Sequence, residues 1–314
     1  MRYLIIGGTS VFGEGLADRL LAKPDTETVI ATKLPSEARY EREKLHWHDL
    51  DVRLEADVNR IVSSSAADVI FDLATQDSVG YAWKEPIETV DINVAGTINV
   101  LNSVRDFSPD TRLIIAGSGE EYGRMDFSDL PLHEEINPRP NNIYGASKAC
   151  QTMFARLYHQ AFGLDILVLR TFYETSALQD DRYAVSSFCR QFAEMEAGIK
   201  EPVLKTGNLN NIRDFTDVED LVKAFDAVAE KGKSGEIYNA AKGKPTALLD
   251  IIRILENLTG IQVKIEADAC RFRPIDAPAV VADIRKIEAD CGWKAEIPME
   301  QTIEKLLIHW RRAI

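Results

Sequence analysis

Long apolar runs, paired cysteines and a surplus of basic residues are all missing from this 314-residue sequence. No run approaches the roughly 20 residues that a membrane-spanning helix needs, so no membrane partner is expected. The four cysteines, Cys150, Cys189, Cys270 and Cys291, form no CxxC pair. Their spacing argues against a zinc or dithiol site and fits reduced thiols in a cytoplasmic protein. Of the five histidines, His46 and His48 alternate around Trp47 with no acid-and-histidine set beside them, and no metal is expected. Against 37 Lys and Arg stand 50 Asp and Glu, a formal charge of −13. Such a surface disfavours nucleic acid and anionic lipid; an anionic ligand has to be held by a few local Arg, Lys and backbone N–H groups. The chain opens directly on an apolar strand, and no cleavable signal is expected ahead of it.

With 45% hydrophobic residues the chain can bury one large α/β unit or two lobes sharing an interface. In the first half, short apolar strands are predicted at Tyr3–Ile6, Thr28–Thr32, Leu45–His48, Val69–Leu73, Arg112–Ala116 and Asp165–Leu169. Helical patterns near 13–22, 55–65, 86–106 and 142–162 separate them. Near-continuous apolar strands alternating with helices indicate a Rossmann-type, doubly wound parallel sheet covered on both faces. Past residue 171 the rhythm breaks into helices near 184–198, 217–231, 246–259 and 299–313 with short strands around 203–206, 236–239 and 262–265. The expected division is a dinucleotide-binding domain over 1–170 and, over 171–314, mainly a smaller α/β substrate lobe, with some chain returning to the sheet. No flexible linker separates them.

Gly7-Gly8-Thr9-Ser10-Val11-Phe12-Gly13 follows the first strand and precedes a helix. Glycines there let the backbone turn tightly and approach a pyrophosphate seated on the helix N-terminus; the bland reading is a mere tight turn. Ser10 stands where a third close-approach glycine is natural, and its hydroxyl either bonds the phosphate or its Cβ pushes it away. The second strand ends on Thr32-Lys33, where an NAD enzyme tends to carry Asp or Glu. Thr32 and Lys33 suit a 2′-phosphate, hence NADP with NAD as the alternative; a solvated surface lysine is the plain reading. Tyr144-Gly145-Ala146-Ser147-Lys148 opens a helix, and positions i and i+4 share one face. A phenol of ordinary pKa about 10 is a poor base, but a nearby cation and a positive nicotinamide ring favour the phenolate.

The strand at 112–116 runs into Gly117-Ser118-Gly119-Glu120-Glu121-Tyr122-Gly123, an unusual end for a buried strand. Together with the glycine turn, Asp51-Val52, Asp72-Leu73-Ala74, Tyr144/Lys148, Gly207-Asn208-Leu209, Arg213 to Val218, Arg273-Pro274 and Gly292-Trp293-Lys294, it resembles the extended short-chain dehydrogenase/reductase family. These proteins modify nucleotide sugars, and the likeness is greatest to GDP-4-keto-6-deoxy-mannose reductases and GDP-mannose 4,6-dehydratases. The resemblance implies a cofactor site of Gly7, Thr9, Ser10, Val11, Phe12, Gly13, Thr32, Lys33, Asp51, Val52, Leu73, Ala74, Thr75, Tyr144 and Lys148. It implies hydride transfer at sugar C4, with Ser118 on the C4 oxygen, Tyr144 as acid–base and Lys148 on the nicotinamide ribose. Glu120 falls where dehydratases carry the acid–base that expels water, and in a reductase it orients substrate. Glu121 reads as structural. For the substrate, the resemblance implies Tyr173, Asn208, Arg213 on the diphosphate, Arg273 and, against guanine, Asp276. A guanidinium fork suits phosphate oxygens, and a carboxylate matches the guanine donor pair. A homodimer through the helix beginning near Tyr144 is also implied.

The chain departs from these relatives at Arg170 to Ala177, where they carry Arg-Pro, then Phe-Asn-His and a Gly-Pro-Gly-rich turn. Tyr173 stands at the asparagine that touches substrate, and Asp72 and Thr75 replace a histidine and an alanine of the cofactor wall. An ionised, unpaired Asp72 repels a diphosphate. Two classes remain: an active nucleotide-sugar reductase, with dehydratase and epimerase as alternatives, or a catalytically silent dinucleotide-binding member. Ser118, Tyr144 and Lys148 together favour the first, because binding without turnover places no demand on all three.

Overall fold

The computed structural model describes residues 1–37, 39, 42–177, 179–271 and 277–314. Its first half comprises β1 (Arg2–Ile6), α1 (Gly13–Leu21), β2 (Thr28–Lys33), β3 (Leu45–Asp49), α2 (Glu55–Ser65) and β4 (Val69–Asp72). There follow α3 (Val79–Lys84), α4 (Pro86–Val90), a π-helical turn (Asp91–Ala95), α5 (Gly96–Phe107), β5 (Arg112–Ser118), α6 (Ile143–Phe162) and β6 (Ile166–Thr171). The helix predicted over 86–106 is thus interrupted by the π turn, which carries the buried Asn93; such turns often accompany functional sites. Strand β5 runs two residues further than predicted and delivers Ser118 to the end of the sheet.

The second half holds β7 (Glu174–Thr175), α7 (Ala184–Glu196), β8 (Val203–Thr206), β9 (Ile212–Arg213), β10 (Thr216–Asp217), α8 (Val218–Lys231) and β11 (Ile237–Ala240). It continues with β12 (Thr246–Ala247), α9 (Leu248–Thr259), β13 (Lys264–Ala267), β14 (Ala279–Val280), α10 (Arg285–Cys291) and α11 (Met299–Ala313). No helix among the described residues is long and apolar enough to cross a membrane.

The central sheet is ordered β11-β6-β5-β4-β1-β2-β3 with every pair parallel. Successive side chains of a strand face opposite sides, so β1 sends Tyr3 and Ile5 into one layer and Leu4 and Ile6 into the other. The first layer is closed by α1, α8 and α10, through Leu16, Leu20, Phe225, Val228 and Ile287. The second is closed by α2, α5 and α6, through Val58, Ile61, Val100, Leu101 and Ala155. With both faces covered, the strands read as unbroken apolar runs. Phe225 sits 5.2 Å from the Phe12 ring and 6.4 Å from Phe71, which clamps the glycine turn onto the sheet; burying it contributes about 2 kcal/mol. A separate core of Phe188, Phe192, Leu204, Ile251, Leu255 and Leu306 packs α7, α9 and α11 around β8.

Strand order reverses between β1 and β4, and in such sheets ligands enter the crevice beyond the carboxyl ends at that reversal. The loops leaving β1, β4, β5 and β6 all open there.

Candidate active site

The turn after β1 is shaped by backbone geometry. Gly7 has φ +78°, and a Cβ there would lie 2.7 Å from Ala74 N; a Cβ on Gly13 would lie 2.2 Å from the Gly8 carbonyl oxygen. Only glycine fits either position. Gly7 N–H donates to Thr32 Oγ1 at 3.0 Å and Gly8 N–H to the Thr32 carbonyl at 2.8 Å. Thr32 is buried and its hydroxyl organises the turn. Ser10 Oγ is buried with no hydrogen-bond partner, although Ser10 lines the cleft described below. An orphaned hydroxyl costs about 1–3 kcal/mol, and beside a glycine cradle at a helix N-terminus it fits a phosphate. The groups at the end of β2 are charge-balanced. Lys33 pairs with Asp49, Arg39 pairs with Glu14 at 2.8 Å, and Glu37 accepts from Thr9 Oγ1 and Leu34 N–H, both at 2.9 Å.

Beyond β3, Asp51 accepts from the Arg53 side chain, which holds its carboxyl below the usual range. Val52 is buried against Gly96. Beyond β4, the wall formed by Leu73, Ala74 and Thr75 is tied to the π turn. Asn93 Oδ1 accepts from Thr75 Oγ1 at 3.0 Å and Gln76 N at 2.8 Å, and its amide donates to Ser147 Oγ at 2.9 Å. Asn93 was not anticipated from the sequence, where nothing marks it apart from a helical pattern.

Ser118 ends β5 and caps the 3₁₀ turn Gly119–Glu121: its hydroxyl accepts from Glu120 N and its own N–H donates to Glu121 Oε1 at 2.9 Å. Glu121 is fully buried and ion-paired to Arg170 Nε at 2.8 Å, while Arg170 Nη1 donates to Tyr122 Oη at 3.0 Å. On the same turn, Glu120 Oε2 accepts from Asn142 Nδ2 at 2.8 Å and Oε1 from Tyr173 Oη at 3.0 Å. Asn142 is also the N-cap of α6, accepting from Gly145 N at 2.8 Å, so the capping residue orients the helix start and the acid together.

Tyr144 and Lys148, one turn apart on α6, line a cleft with Ser10, Val11, Phe12, Leu73, Thr75, Asp77, Ala116, Gly117, Thr171 and Glu174. The predicted residues that share this cleft therefore come from β1, β4 and α6. Ser118 joins them as hydrogen-bonding partner of the Tyr144 phenol. Gly7, Gly13 and Ala74 stand behind the lining and shape it; Thr32, Lys33, Asp51 and Val52 lie along the β2 and β3 ends. Asp77 and Glu174 are lining residues that the sequence did not single out.

Lys148 Nζ is buried and donates to the Ala116 carbonyl at 2.6 Å. Burial draws its pKa down to about 8, against the carboxylates of Glu121, Asp72, Asp77 and Glu174. Burial likewise pushes Asp72 up to about 6, with the Lys148 ammonium opposing. The sequence expectation that Lys148 brings the Tyr144 phenol down is reversed in the protein by itself. Burial raises the phenol well above its ordinary value, Ser118 opposes this, and Glu174, Asp77 and Glu120 add to it. Glu174 is itself pushed up to about 7 by burial first, then by Asp77 and Glu120.

Just past β6, Tyr173 is held at φ +28°, a conformation side chains rarely adopt, with the Arg213 guanidinium 5.1 Å from its ring centroid and Phe215 edge-on at 6.1 Å. Strain of this kind costs about 1–3 kcal/mol and tends to gather at functional sites. Asn208 closes a turn, donating to Asn211 Oδ1 at 3.1 Å. Arg273 and Asp276 lie outside the described residues.

Residues 4–306 match the family model described as GDP-mannose 4,6 dehydratase. The chain is 29% identical over 269 residues to the GDP-6-deoxy-D-mannose reductase of Pseudomonas aeruginosa, covering 86% of this chain and 88% of that one. It is 25% identical over 336 residues to the CDP-paratose 2-epimerase of Salmonella typhi, with 98% of each covered. Among solved structures it superposes on RMD from Pseudomonas aeruginosa complexed with NADPH, with TM-score 0.87, 25% identity and 100% of both chains covered.

Proposed function

Because the chain belongs to the GDP-mannose 4,6 dehydratase family of extended short-chain dehydrogenase/reductase proteins, we propose that it is an NAD(P)-dependent enzyme of nucleotide sugars, acting as a reductase at sugar C4. A bound nicotinamide would supply the hydride. The observation that carries the reading is one cleft, at the reversal of strand order, lined by the orphaned Ser10 hydroxyl at one end and Tyr144 and Lys148 at the other. The turn from Gly7 to Gly13 would hold the pyrophosphate, Lys148 the nicotinamide ribose, and Leu73, Ala74 and Thr75 the wall between them.

Tyr144 would exchange a proton with the sugar C4 oxygen, and the Ser118 hydroxyl would donate to the same oxygen. A phenol raised by burial stays protonated at neutral pH, so the proton that a ketone would take up is in place. Glu120 would orient the sugar, since both of its carboxylate oxygens already accept hydrogen bonds; this favours reductase over the dehydratase and epimerase alternatives. Arg213 and Asn208, with Arg273 and Asp276, would hold the nucleoside diphosphate. GDP is the proposed nucleotide, by similarity to a relative named as a GDP-6-deoxy-D-mannose reductase. On this reading 1–170 is the dinucleotide domain and 171–314 mainly the substrate lobe, with α8, β11 and α10 returning to the sheet.

NADP is the proposed cofactor, with Lys33 and Arg39 as the cations beside a 2′-phosphate. Glu37 favours NAD as the second reading, because its carboxylate lies at the end of β2 where a ribose diol would seek an acceptor. A homodimer through α6 is supported by Met153 and Leu157, 60% and 54% exposed and one turn apart, with Ile87 and Phe107 also exposed. Four free cysteines suit a reducing cytoplasm.

The test is to mix protein, NADPH and GDP-4-keto-6-deoxy-mannose and follow the reduced-nicotinamide absorbance. Rapid loss in the wild type, abolished in Tyr144→Phe with cofactor binding retained, is the expected result. Bound cofactor with no loss on any keto-sugar nucleotide would leave a catalytically silent binding protein.

A further inference from the structure

The inner end of the cleft carries more negative charge than a pocket for a neutral ring requires. Glu174 reaches it from β7 and Asp77 from the loop after β4, and both line it beside Tyr144, Lys148, Leu73 and Thr75. Glu120 stands close enough to act on both Tyr144 and Glu174, and Asp72 and Lys148 act on one another through space. Among the described residues, the cations near these groups include Lys148, Arg182, which is bound to Asp180 at 2.7 Å, and Arg213, 5.1 Å from the ring of the Tyr173 that donates to Glu120. Tyr183, at the start of α7, hydrogen-bonds Asp77 and is held neutral by burial. Two carboxylates thus line this end with two more acting on it, and among the described residues Lys148 is the cation in the lining.

Oxidised and reduced dinucleotides differ at the ring: the oxidised ring is a cation and the reduced ring is neutral. A fixed negative field distinguishes them with no change of shape. Resting on the nicotinamide reading above, we propose that Glu174 and Asp77 are the counter-charge for the oxidised nicotinamide, so that this chain binds oxidised dinucleotide more tightly than reduced. The bias favours hydride leaving the bound cofactor, the direction of a reductase. A dehydratase or epimerase must first draw hydride onto the ring and works against such a field.

The acidity of Glu174 adds a pH signature. Its carboxyl is pushed up to about 7 by burial first, with Asp77 and Glu120 adding and Lys148 opposing. Below that pH it is neutral and contributes no counter-charge; above it the anion is present. The preference for the oxidised form therefore grows as pH rises through about 7. Binding the cationic ring draws the carboxyl down and releases a proton.

Calorimetric titration with NADP⁺ and NADPH, and with NAD⁺ and NADH, tests this on the full chain at pH 6 and pH 8.5. Both members of a pair share every phosphate contact, so the ratio Kd(reduced)/Kd(oxidised) isolates ring charge. Glu174→Gln is expected to lower that ratio at least about tenfold at pH 8.5, since one charge within roughly 12 Å at an effective dielectric near 20 is worth a factor of ten or more, and to leave it nearly unchanged at pH 6. Asp77→Asn is expected to lower it at pH 8.5 as well. Proton release on oxidised-cofactor binding near pH 7 should shrink in Glu174→Gln and persist in Tyr144→Phe, which separates the carboxyl from the phenol. Tight binding of both forms with a ratio that neither variant moves by more than about twofold would overturn the inference alone. A wild type that binds no nicotinamide dinucleotide would overturn it together with the nicotinamide reading, so the two failures are distinct.

Discussion

Replacing Glu121 by alanine removes the one carboxylate that both neutralises a buried guanidinium and fixes the end of β5. Arg170 and Glu121 are 2% and 0% exposed in their side chains and meet at 2.8 Å. Glu121 Oε1 also accepts the Ser118 N–H at 2.9 Å. Stranding a buried charge costs about 3–5 kcal/mol, and leaving the Ser118 amide unpaired adds about 1–3 kcal/mol. The two share one network and do not simply sum. Arg170 keeps the Tyr122 hydroxyl at 3.0 Å and its ring at 4.9 Å, which softens the loss. The expected destabilisation is about 4 kcal/mol, a large fraction of the 5–15 kcal/mol typical of a folded domain, and a fall in Tm on the order of 10 °C. Urea unfolding followed by far-UV circular dichroism measures it. The double variant Glu121→Leu/Arg170→Met should recover most of that stability, because matched apolar groups replace a buried pair at little net cost. It should stay impaired in turnover, since Ser118 has lost its anchor. A single variant losing under about 1 kcal/mol, or a double variant no more stable than the single, would refute this account of the pair.

Gly13→Ala should weaken dinucleotide binding by about tenfold or more, because its Cβ would lie 2.2 Å from the Gly8 carbonyl oxygen and the turn must open; quenching of protein fluorescence by NADPH reads it, and unchanged affinity would discount the cradle. Asp214 is fully buried, and burial raises its carboxyl to about 7 although backbone N–H groups of Ala282, Lys244, Gly243 and Lys242 oppose this. A carboxyl raised in the folded state contributes stability that is present below its unfolded pKa, near 4, and lost as pH rises through about 7. Denaturation at pH 5 and pH 8 should therefore show a smaller loss over that interval in Asp214→Asn than in the wild type, and equal losses would sink the assignment. Met153→Glu/Leu157→Glu should yield a monomer by sedimentation velocity with the circular dichroism spectrum preserved, since both side chains are exposed on α6; an unchanged sedimentation coefficient would remove α6 as the interface.

How much of this was legible in the sequence depends on how local each cause is. The strands of the central sheet are buried on both faces, so Tyr3 to Ile6 or Leu113 to Ile115 appear as continuous apolar runs wherever they end up. The glycine turn is readable because its constraint is covalent: a positive φ at Gly7 and a close approach at Gly13 exclude every side chain. Tyr144 and Lys148 are readable because one helical turn places them on one face. These are properties of short stretches, and the family resemblance rests on the same stretches.

What depended on distant segments was not readable. Thr32 reads, with Lys33, as suited to a 2′-phosphate; that its hydroxyl also accepts from Gly7 N–H follows only from the return of β2 beside β1. Strand β11 lies far along the chain, and only pairing with β6 makes it the edge of the central sheet. The phenol of Tyr144 was expected to be lowered by a neighbouring cation, and folding instead surrounds it with low-dielectric protein and three carboxylates from other elements. Glu174 was a letter in an odd loop until β7 turned it into the cleft. The sequence by itself determined the periodic elements, the glycine turn and the identity of the reacting side chains, because each follows from bonds and contacts within a few residues. The tertiary structure alone decided which charges face that chemistry, because electrostatic energy depends on separation and burial in space, and neither is written in sequence distance.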